Sequence, residues 1–373
     1  MMRRSIRVQM LLTDAFGSLG GISQFNRDFL AALNACSAVE RVHALPRLIN
    51  EPIEEVIPEA VIFNRKAASG RAAFTTQLLR YSLRADRADV VICGHLHLLP
   101  LAWLAARYQR ARLSLIVHGF EAFGPTRHAL ANLLVNQIDA FIAVSRHSVD
   151  RFVQWSNVGR DRGFILPNCV DLNRFTPGER DRRLVDRYGL RSGKVILTVG
   201  RMAAGECYKG FDEVIDVLPQ LLQQFPDLKY LIVGDGSDRG RLEAAVKTRG
   251  LSNCVTFAGR IPESEKVAHY NLADVFVMPS YGEGFGIALI EAAACGIAVV
   301  GSSVDGSRDA LLDGRLGRMV DPRKPDELIE AITAALGGAR RQARNNLVET
   351  FDVDHFRARV SHWMNAQIAS AAP

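Results

Sequence analysis

Between Ala273 and Gly296 the chain gathers residue types suited to a phosphorylated sugar. The apolar run Val275–Met278 is followed by the loop Glu283-Gly284-Phe285-Gly286, and from Ile287 the pattern is helical and carries Glu291. Loop glycines let backbone amides approach a ligand closely, and a helix N-terminus favours an anion in front of it. Two carboxylates so placed, one in the loop and one in the second helical turn, can each grip a hydroxyl pair on a sugar or ribose. Backbone amides then hold the phosphate. Taken outside this loop, the same two glutamates would be a turn residue and an ion-paired helix residue.

A second constellation lies upstream. An apolar strand ends at Gly200, Arg201 extends from its carboxyl end, and Lys209 stands at the start of the next helix. A planar guanidinium and a point-charge ammonium suit a pyrophosphate; the plainer alternative is a pair of surface cations. Gly17-Ser18-Leu19-Gly20-Gly21 joins the first strand to the first helix and offers backbone donors there. Its spacing is not GxGxxG, so a dinucleotide is a poor match. His118 follows another apolar strand, where a packed polar residue is the competing reading. Cys93, His95 and His97 alternate at a strand end as metal ligands can, but no fourth ligand is near them in sequence. Asp352-Val353-Asp354 opens the last helical segment, away from any strand end. Neither a metal nor another cofactor is expected.

The elements that must position these residues alternate along the chain. Strands are predicted at Ile6–Leu12, Asp89–Cys93, Leu113–Val117, Ala140–Val144, Val195–Val199, Tyr230–Val233, Val275–Met278 and Ile297–Val300. Helices are predicted at Gln24–Asn34, Ala72–Leu83, Phe211–Gln224 and Pro325–Leu336. The strands are continuous Val/Ile/Leu runs, the mark of burial on both faces, and strand–helix alternation implies parallel sheets of the α/β class. With 373 residues, two domains are expected, and a turn-rich break runs from Leu166 to Pro177. The predicted division is 1–172, 173–350 and a final helix in 351–373. Ligands of such folds sit at the carboxyl ends of the strands.

Composition narrows the setting. An apolar share of 48% with 23% charged residues excludes disorder and fibrous repeats. The 6 cysteines are scattered with no CxxC pair, which fits reduced thiols in a cytoplasm. Ile6–Leu12, broken by Arg7 and Gln9, is a strand rather than a signal sequence. Val90–Ala106 lacks Asp, Glu, Lys and Arg but is short against the ~20 residues of a membrane helix. The net charge of +6 is uneven: residues 1–170 hold 20 Lys and Arg against 13 Asp and Glu, the remainder 26 against 27. The basic half is expected to meet something acidic.

The motifs, in order, carry a resemblance. Gly20-Gly21, His118-Gly119, Val144–Ser148, Leu166–Pro177, Val199–Arg201 with Lys209-Gly210, Val233–Gly236 and Glu283–Glu291 resemble those of glycosyltransferase family 4 (group 1) over nearly the whole chain. The last stretch is the most specific, with Ala273-Asp274 and Pro279-Ser280 before it and Ala292–Gly296 after it. The resemblance implies a retaining enzyme of GT-B fold: two doubly wound, Rossmann-like domains facing each other across a cleft, with the final helix crossing back to the first domain. It implies a hexosyltransferase of cell-surface polysaccharide synthesis that takes a nucleotide-diphosphate sugar, GDP-mannose slightly ahead of a UDP-hexose. The acceptor implied is a saccharide or a polyprenyl-diphosphate-linked saccharide, and no nucleic-acid partner is expected.

On matching positions, the resemblance makes Arg201, Lys209, Glu283 and His118 the catalytic set. Arg201 and Lys209 would neutralise the diphosphate, and Glu283 would meet the donor sugar. Glu291 would bind the ribose, and Gly284, Phe285, Gly286 and Ile287 would supply amides. Gly20, Gly21 and Gly200 would line the donor, and Arg260 would meet the base. Two departures stand out: Ala203–Tyr208 lengthens the link between Arg201 and Lys209, and Val304–Asp309 replaces the usual Gly-Gly-x-Pro-Glu loop. With both glutamates assigned to hydroxyls, no double-displacement nucleophile is evident, so same-face transfer is favoured, the leaving phosphate taking the acceptor proton. The alternatives are a GT-B epimerase or phosphorylase, or a non-catalytic sugar-binding member. Arg65, Lys66, Arg71, Arg80, Arg84 and Arg87 surround an apolar helix, which suggests peripheral contact of 65–87 with anionic lipid on the inner face of the cell membrane. The competing reading is a solvated helix packed by its apolar stripe.

Overall fold

The computed structural model describes residues 5–83, 87–206, 209–338 and 344–369. The chain divides into two compact units: one runs to Cys169 and resumes at Val353, and the other spans Val170–Asp352.

The first unit holds a parallel sheet of 7 strands, in the order β3-β2-β1-β4-β5-β6-β7. These are β1 Ile6–Leu12, β2 Val39–Pro46, β3 Val61–Phe63, β4 Val90–Cys93, β5 Arg112–Val117, β6 Ala140–Ala143 and β7 Gly163–Ile165. Successive residues of β1 and β4 are buried, which is why their sequences are continuous apolar runs rather than alternating ones. Val8 lies opposite Val42 on one side and Val90 on the other. The final helix, Val353–Ala369, belongs to this unit. Its Phe356 packs edge-on to Phe25, and its Trp363 lies against Phe29, both on the helix Gly21–Ala35. Arg359 donates from Nη2 to the Ile165 carbonyl at 2.9 Å, tying the helix to β7.

The second unit holds a parallel sheet of 6 strands, in the order β10-β9-β8-β11-β12-β13. They are β8 Val195–Val199, β9 Lys229–Val233, β10 Val255–Gly259, β11 Val275–Met278, β12 Ala298–Ser302 and β13 Arg318–Val320. The amino end of the central pair is anchored by Asp274. Its Oδ2 accepts from Val195 N at 2.7 Å and from Arg180 Nη2 at 2.6 Å, and Lys194 Nζ lies 3.8 Å from its Oδ1.

In each sheet the chain order reverses once, between β1 and β4 in the first and between β8 and β11 in the second. Such switch points leave a crevice at the carboxyl ends of the two strands, because their following connections turn away in opposite directions. The α/β class with two doubly wound sheets is as the sequence predicts. Among the described residues, no helix is long and apolar enough to cross a membrane.

Candidate functional site

Both constellations of the second unit fall at its switch point. Gly200 and Arg201 leave the carboxyl end of β8, and the loop from Pro279 to Gly286 leaves that of β11. Lys209 precedes the helix Phe211–Gln224, with Gly210 as its cap. Gly210 has φ +82°, and a Cβ on it would stand 2.4 Å from the Pro279 carbonyl oxygen. Only glycine lets the two segments approach so closely. Lys209 is thereby carried to the β11 exit, where its Nζ meets Glu283 Oε2 at 2.6 Å, with both side chains largely shielded from solvent. Its aliphatic stem lies over Gly200, whose Cβ position is 3.2 Å from Lys209 Cδ. Arg201 is exposed at the same strand end. Cys207 and Tyr208, in the lengthened link, lie outside the described residues.

Glu291 is buried in the helix Ile287–Ala294 and fully engaged: Tyr270 donates from its hydroxyl to Oε2 at 2.6 Å, and Lys266 Nζ meets Oε1 at 2.6 Å. This is the ion-paired arrangement weighed against ribose binding in the sequence. Burial, followed by the Glu291 charge, pushes the Tyr270 phenol well above its ordinary range, so it remains a donor. Lys266 and Tyr270 escaped sequence reading, although their i, i+4 spacing on one helix was the available signal. Phe285 is buried against the Phe351 ring at 5.4 Å, so its contribution to a ligand is its main chain. Gly284 and Gly286 are buried with it, and Ile287 begins the helix. Arg260 is exposed just beyond β10, two strands from β8.

Asp305, in the loop after β12, was also missed. It is fully buried and accepts from Ser280 Oγ and Glu283 N on Oδ2, at 2.7 and 2.8 Å, and from Ser307 N on Oδ1 at 3.0 Å. The signal was the departure of Val304–Asp309 from the loop that the resemblance leads one to expect.

In the first unit, Gly20 and Gly21 are exposed where β1 passes into the helix Gly21–Ala35. Gly94, after β4, donates to the Leu11 carbonyl at 2.7 Å, and its own carbonyl lies 3.0 Å from His118 Nε2. A carbonyl only accepts, so Nε2 carries the hydrogen and Nδ1 is the acceptor. Burial pushes His118 down to about 4, leaving its ring neutral, and Phe25 packs edge-on at 5.0 Å. The backbone amides of His118 and Gly119 both donate to Glu121 Oε1, at 2.7 and 3.1 Å. His118 is thus a packed polar residue at a strand end, the plainer of the two sequence readings.

Cys93, His95 and His97 do not converge. The Cys93 thiol points into the core, donates to the His95 carbonyl at 3.1 Å and is pushed up to about 12 by burial. Among the described residues no group of three or more His, Cys, Asp or Glu side chains is placed to hold a metal ion.

Two family descriptions match: "Glycosyl transferases group 1" over residues 186–350 and "Glycosyltransferase Family 4" over residues 19–174. Between them they take in most of the chain. With the paired doubly wound sheets, they define a glycosyltransferase of GT-B fold, and the chain belongs to the group 1, family 4 glycosyltransferases. A GDP-mannose-dependent α-(1-6)-phosphatidylinositol monomannoside mannosyltransferase of Mycolicibacterium smegmatis is 34% identical over 259 residues, 65% of this chain and 66% of that protein. Phosphatidyl-myo-inositol mannosyltransferase of Mycobacterium tuberculosis is 38% identical over 46% of this chain and 43% of its own length. The chain thus matches at most about two thirds of these relatives. Among solved structures, Anabaena HepE in complex with UDP and glucose superposes with a TM-score of 0.76 at 19% identity, covering 97% of this chain and 100% of that one.

Proposed function

We propose that the chain transfers a hexose from a nucleotide-diphosphate sugar, GDP-mannose before UDP-hexose, to a saccharide carried on a lipid. The observation that carries this reading is the Lys209–Glu283 pair bridging the two strand ends of the switch point, beside Gly200 and Arg201. The leaving diphosphate gathers negative charge as the sugar departs, and preorganised cations in a shielded site stabilise that charge without reorganisation. Lys209 is oriented for this by Glu283, and Arg201 adds a fork able to take two phosphate oxygens. Glu283 meets the sugar hydroxyls, and the main chain at 284–287 completes the phosphate cradle. Glu291, kept in place by Tyr270 and Lys266, is assigned to the ribose, and Arg260 to the base. Transfer occurs on one face with retention, the departing phosphate oxygen accepting the acceptor's proton, and no metal is required. In the first unit, Gly20 and Gly21 are assigned to donor binding and His118 to the catalytic set.

The named relatives support mannose and a phosphatidylinositol-type acceptor, while the UDP and glucose bound by HepE keep a uridine donor as the second reading. A thermal-shift screen of GDP, GDP-mannose, UDP and UDP-glucose, followed by transfer of radiolabelled sugar, tests both. Stabilisation by neither nucleotide would defeat the proposal, and stabilisation by UDP alone would select the second donor.

The acceptor's lipid brings in the segment 65–87. Phe74, Leu78 and Tyr81 of the helix Arg71–Ser82 are buried, as the packed-stripe reading expected, whereas Leu79, Leu83, Arg71 and Arg80 are exposed. Arg87 lies over the exposed Tyr108 ring, 5.7 Å from its centroid; Arg84 lies outside the described residues. We assign this face to anionic lipid on the inner surface of the cell membrane. Sedimentation with vesicles should then rise with their anionic lipid content, and an indifferent result removes the assignment.

A further inference from the structure

The loop that carries Glu283 is gripped from beneath by two residues after β12. Asp305 Oδ2 accepts the Glu283 backbone amide at 2.8 Å, and Gly306 N donates to the Glu283 carbonyl at 2.9 Å. Both main-chain polar groups of Glu283 are therefore held by consecutive residues of one neighbouring loop. The same carboxylate oxygen accepts the Ser280 hydroxyl at 2.7 Å, fixing the loop where it leaves β11, and Oδ1 accepts Ser307 N at 3.0 Å. The approach is as close as it can be: a Cβ on Gly306 would lie 2.0 Å from the Gly284 carbonyl oxygen and 2.7 Å from that of Glu283. Asp305, Ser280 and Ser307 are all closed to solvent.

We propose that Asp305 is a positioning residue of the transfer reaction, holding the main chain of Glu283 so that its carboxylate meets Lys209. The inference rests on the activity proposed above for Lys209 and Glu283. A fully buried carboxylate is costly unless its lone pairs are used, and here the Ser280 hydroxyl, the Glu283 amide and both the amide and the hydroxyl of Ser307 use them. Two of those donors belong to the Glu283 loop, and none is a cation. Charged side chains on the elements packed around it are engaged elsewhere: Glu283 with Lys209, and Arg308 with Asp313 at 3.1 Å; Asp309 lies one turn further on. Burial holds the Asp305 carboxyl up at about 6. A proton on it adds a hydroxyl donor where Ser280 and Glu283 already donate, so the grip loosens on the acid side of neutrality.

A double-mutant cycle with a pH profile decides the matter. Asp305→Ala removes these acceptor contacts, and kcat should fall roughly 10- to 100-fold with a smaller change in donor KM. In a Glu283→Gln background the same change should cost less than about twofold, because the group through which Asp305 acts is already lost. Equal losses in the two backgrounds would overturn the assignment. Asp305→Asn keeps an acceptor oxygen but does not titrate, and it also serves where the alanine variant fails to fold. It should remove the fall in kcat below pH 6, and an unchanged acid limb counts against the proposal. Amide exchange over residues 280–286 should quicken in either variant. That readout needs no turnover, so a native chain that transfers no sugar defeats the activity while exchange still decides the grip.

Discussion

Asp274 and Asp305 are both buried aspartates of the second sheet, at opposite ends of its strands. Asp274, at the amino end, is met by two cations, Arg180 at 2.6 Å and Lys194 at 3.8 Å, besides the Val195 amide. Its partners lie on the segments that close the sheet, so its charge is neutralised where nothing has to react. Asp305, at the carboxyl end, meets only hydroxyl and amide donors among the described residues, and Lys209 is paired with Glu283 instead. The same residue type thus staples at one end, while at the other it holds a loop whose own carboxylate, Glu283, takes the cation. The difference lies in where the cations are placed.

The comparison breaks most visibly through Lys209. Lys209→Ala should lower kcat roughly 100- to 1,000-fold, as loss of a donor at developing charge does. Its melting temperature should fall by only a few degrees, the cost of leaving the shielded Glu283 without its cation. Steady-state kinetics beside a melting curve checks this, and Arg201→Ala should share the pattern.

Asp274→Asn should do the reverse. Removing one partner of a buried ion pair strands Arg180, at a cost of about 3 kcal/mol. Urea unfolding should register that loss while kcat/KM of the folded protein stays within a few-fold of the native value.

Acid probes the carboxyl end. Burial raises the Asp305 carboxyl from an ordinary 3.8 to about 6. The folded chain therefore binds this proton more tightly than the unfolded chain does. Its contribution to stability is fully present below pH 4 and is lost as the pH rises through 6. Turnover should move the opposite way, falling as the pH drops below 6. Urea midpoints of the native chain and Asp305→Asn, compared at pH 5 and pH 7.5, isolate this term.

Tyr270→Phe is the mildest test. It takes one of two hydrogen bonds from Glu291, a turn inside the carboxyl end, and leaves Lys266 in place. A fall in kcat/KM of about three- to tenfold, read as a rise in donor KM, is expected.

The sequence made the centre of each sheet legible and its margins illegible. Ile6–Leu12, Val195–Val199 and Val275–Met278 are strands with the expected bounds, because continuous apolar runs have few alternatives to a buried parallel strand. β2 went unread because exposed Glu40 and Arg41 interrupt its pattern. β3, β7 and β13 are three residues each at or beside a sheet edge, too short for any periodicity. The chemistry of Lys209 and Glu283 was legible from residue type and strand position. Their contact was not, since 74 residues separate them and Gly210 alone hints at the close approach. Asp305 was hidden for a different reason: its role is carried by main-chain atoms of another loop, which leave no trace in residue types.

The helix Val353–Ala369 has a consequence for biosynthesis. The first unit is assembled from two stretches of chain, with the whole of the second unit translated in between. Phe25 and Phe29 emerge from the ribosome more than 300 residues before Phe356 and Trp363, which cover them. The first sheet can form early, but one flank of its opening helix stays bare until Phe356 and Trp363 have been made. A premature stop that spares every residue of the second unit would therefore injure the unit made first.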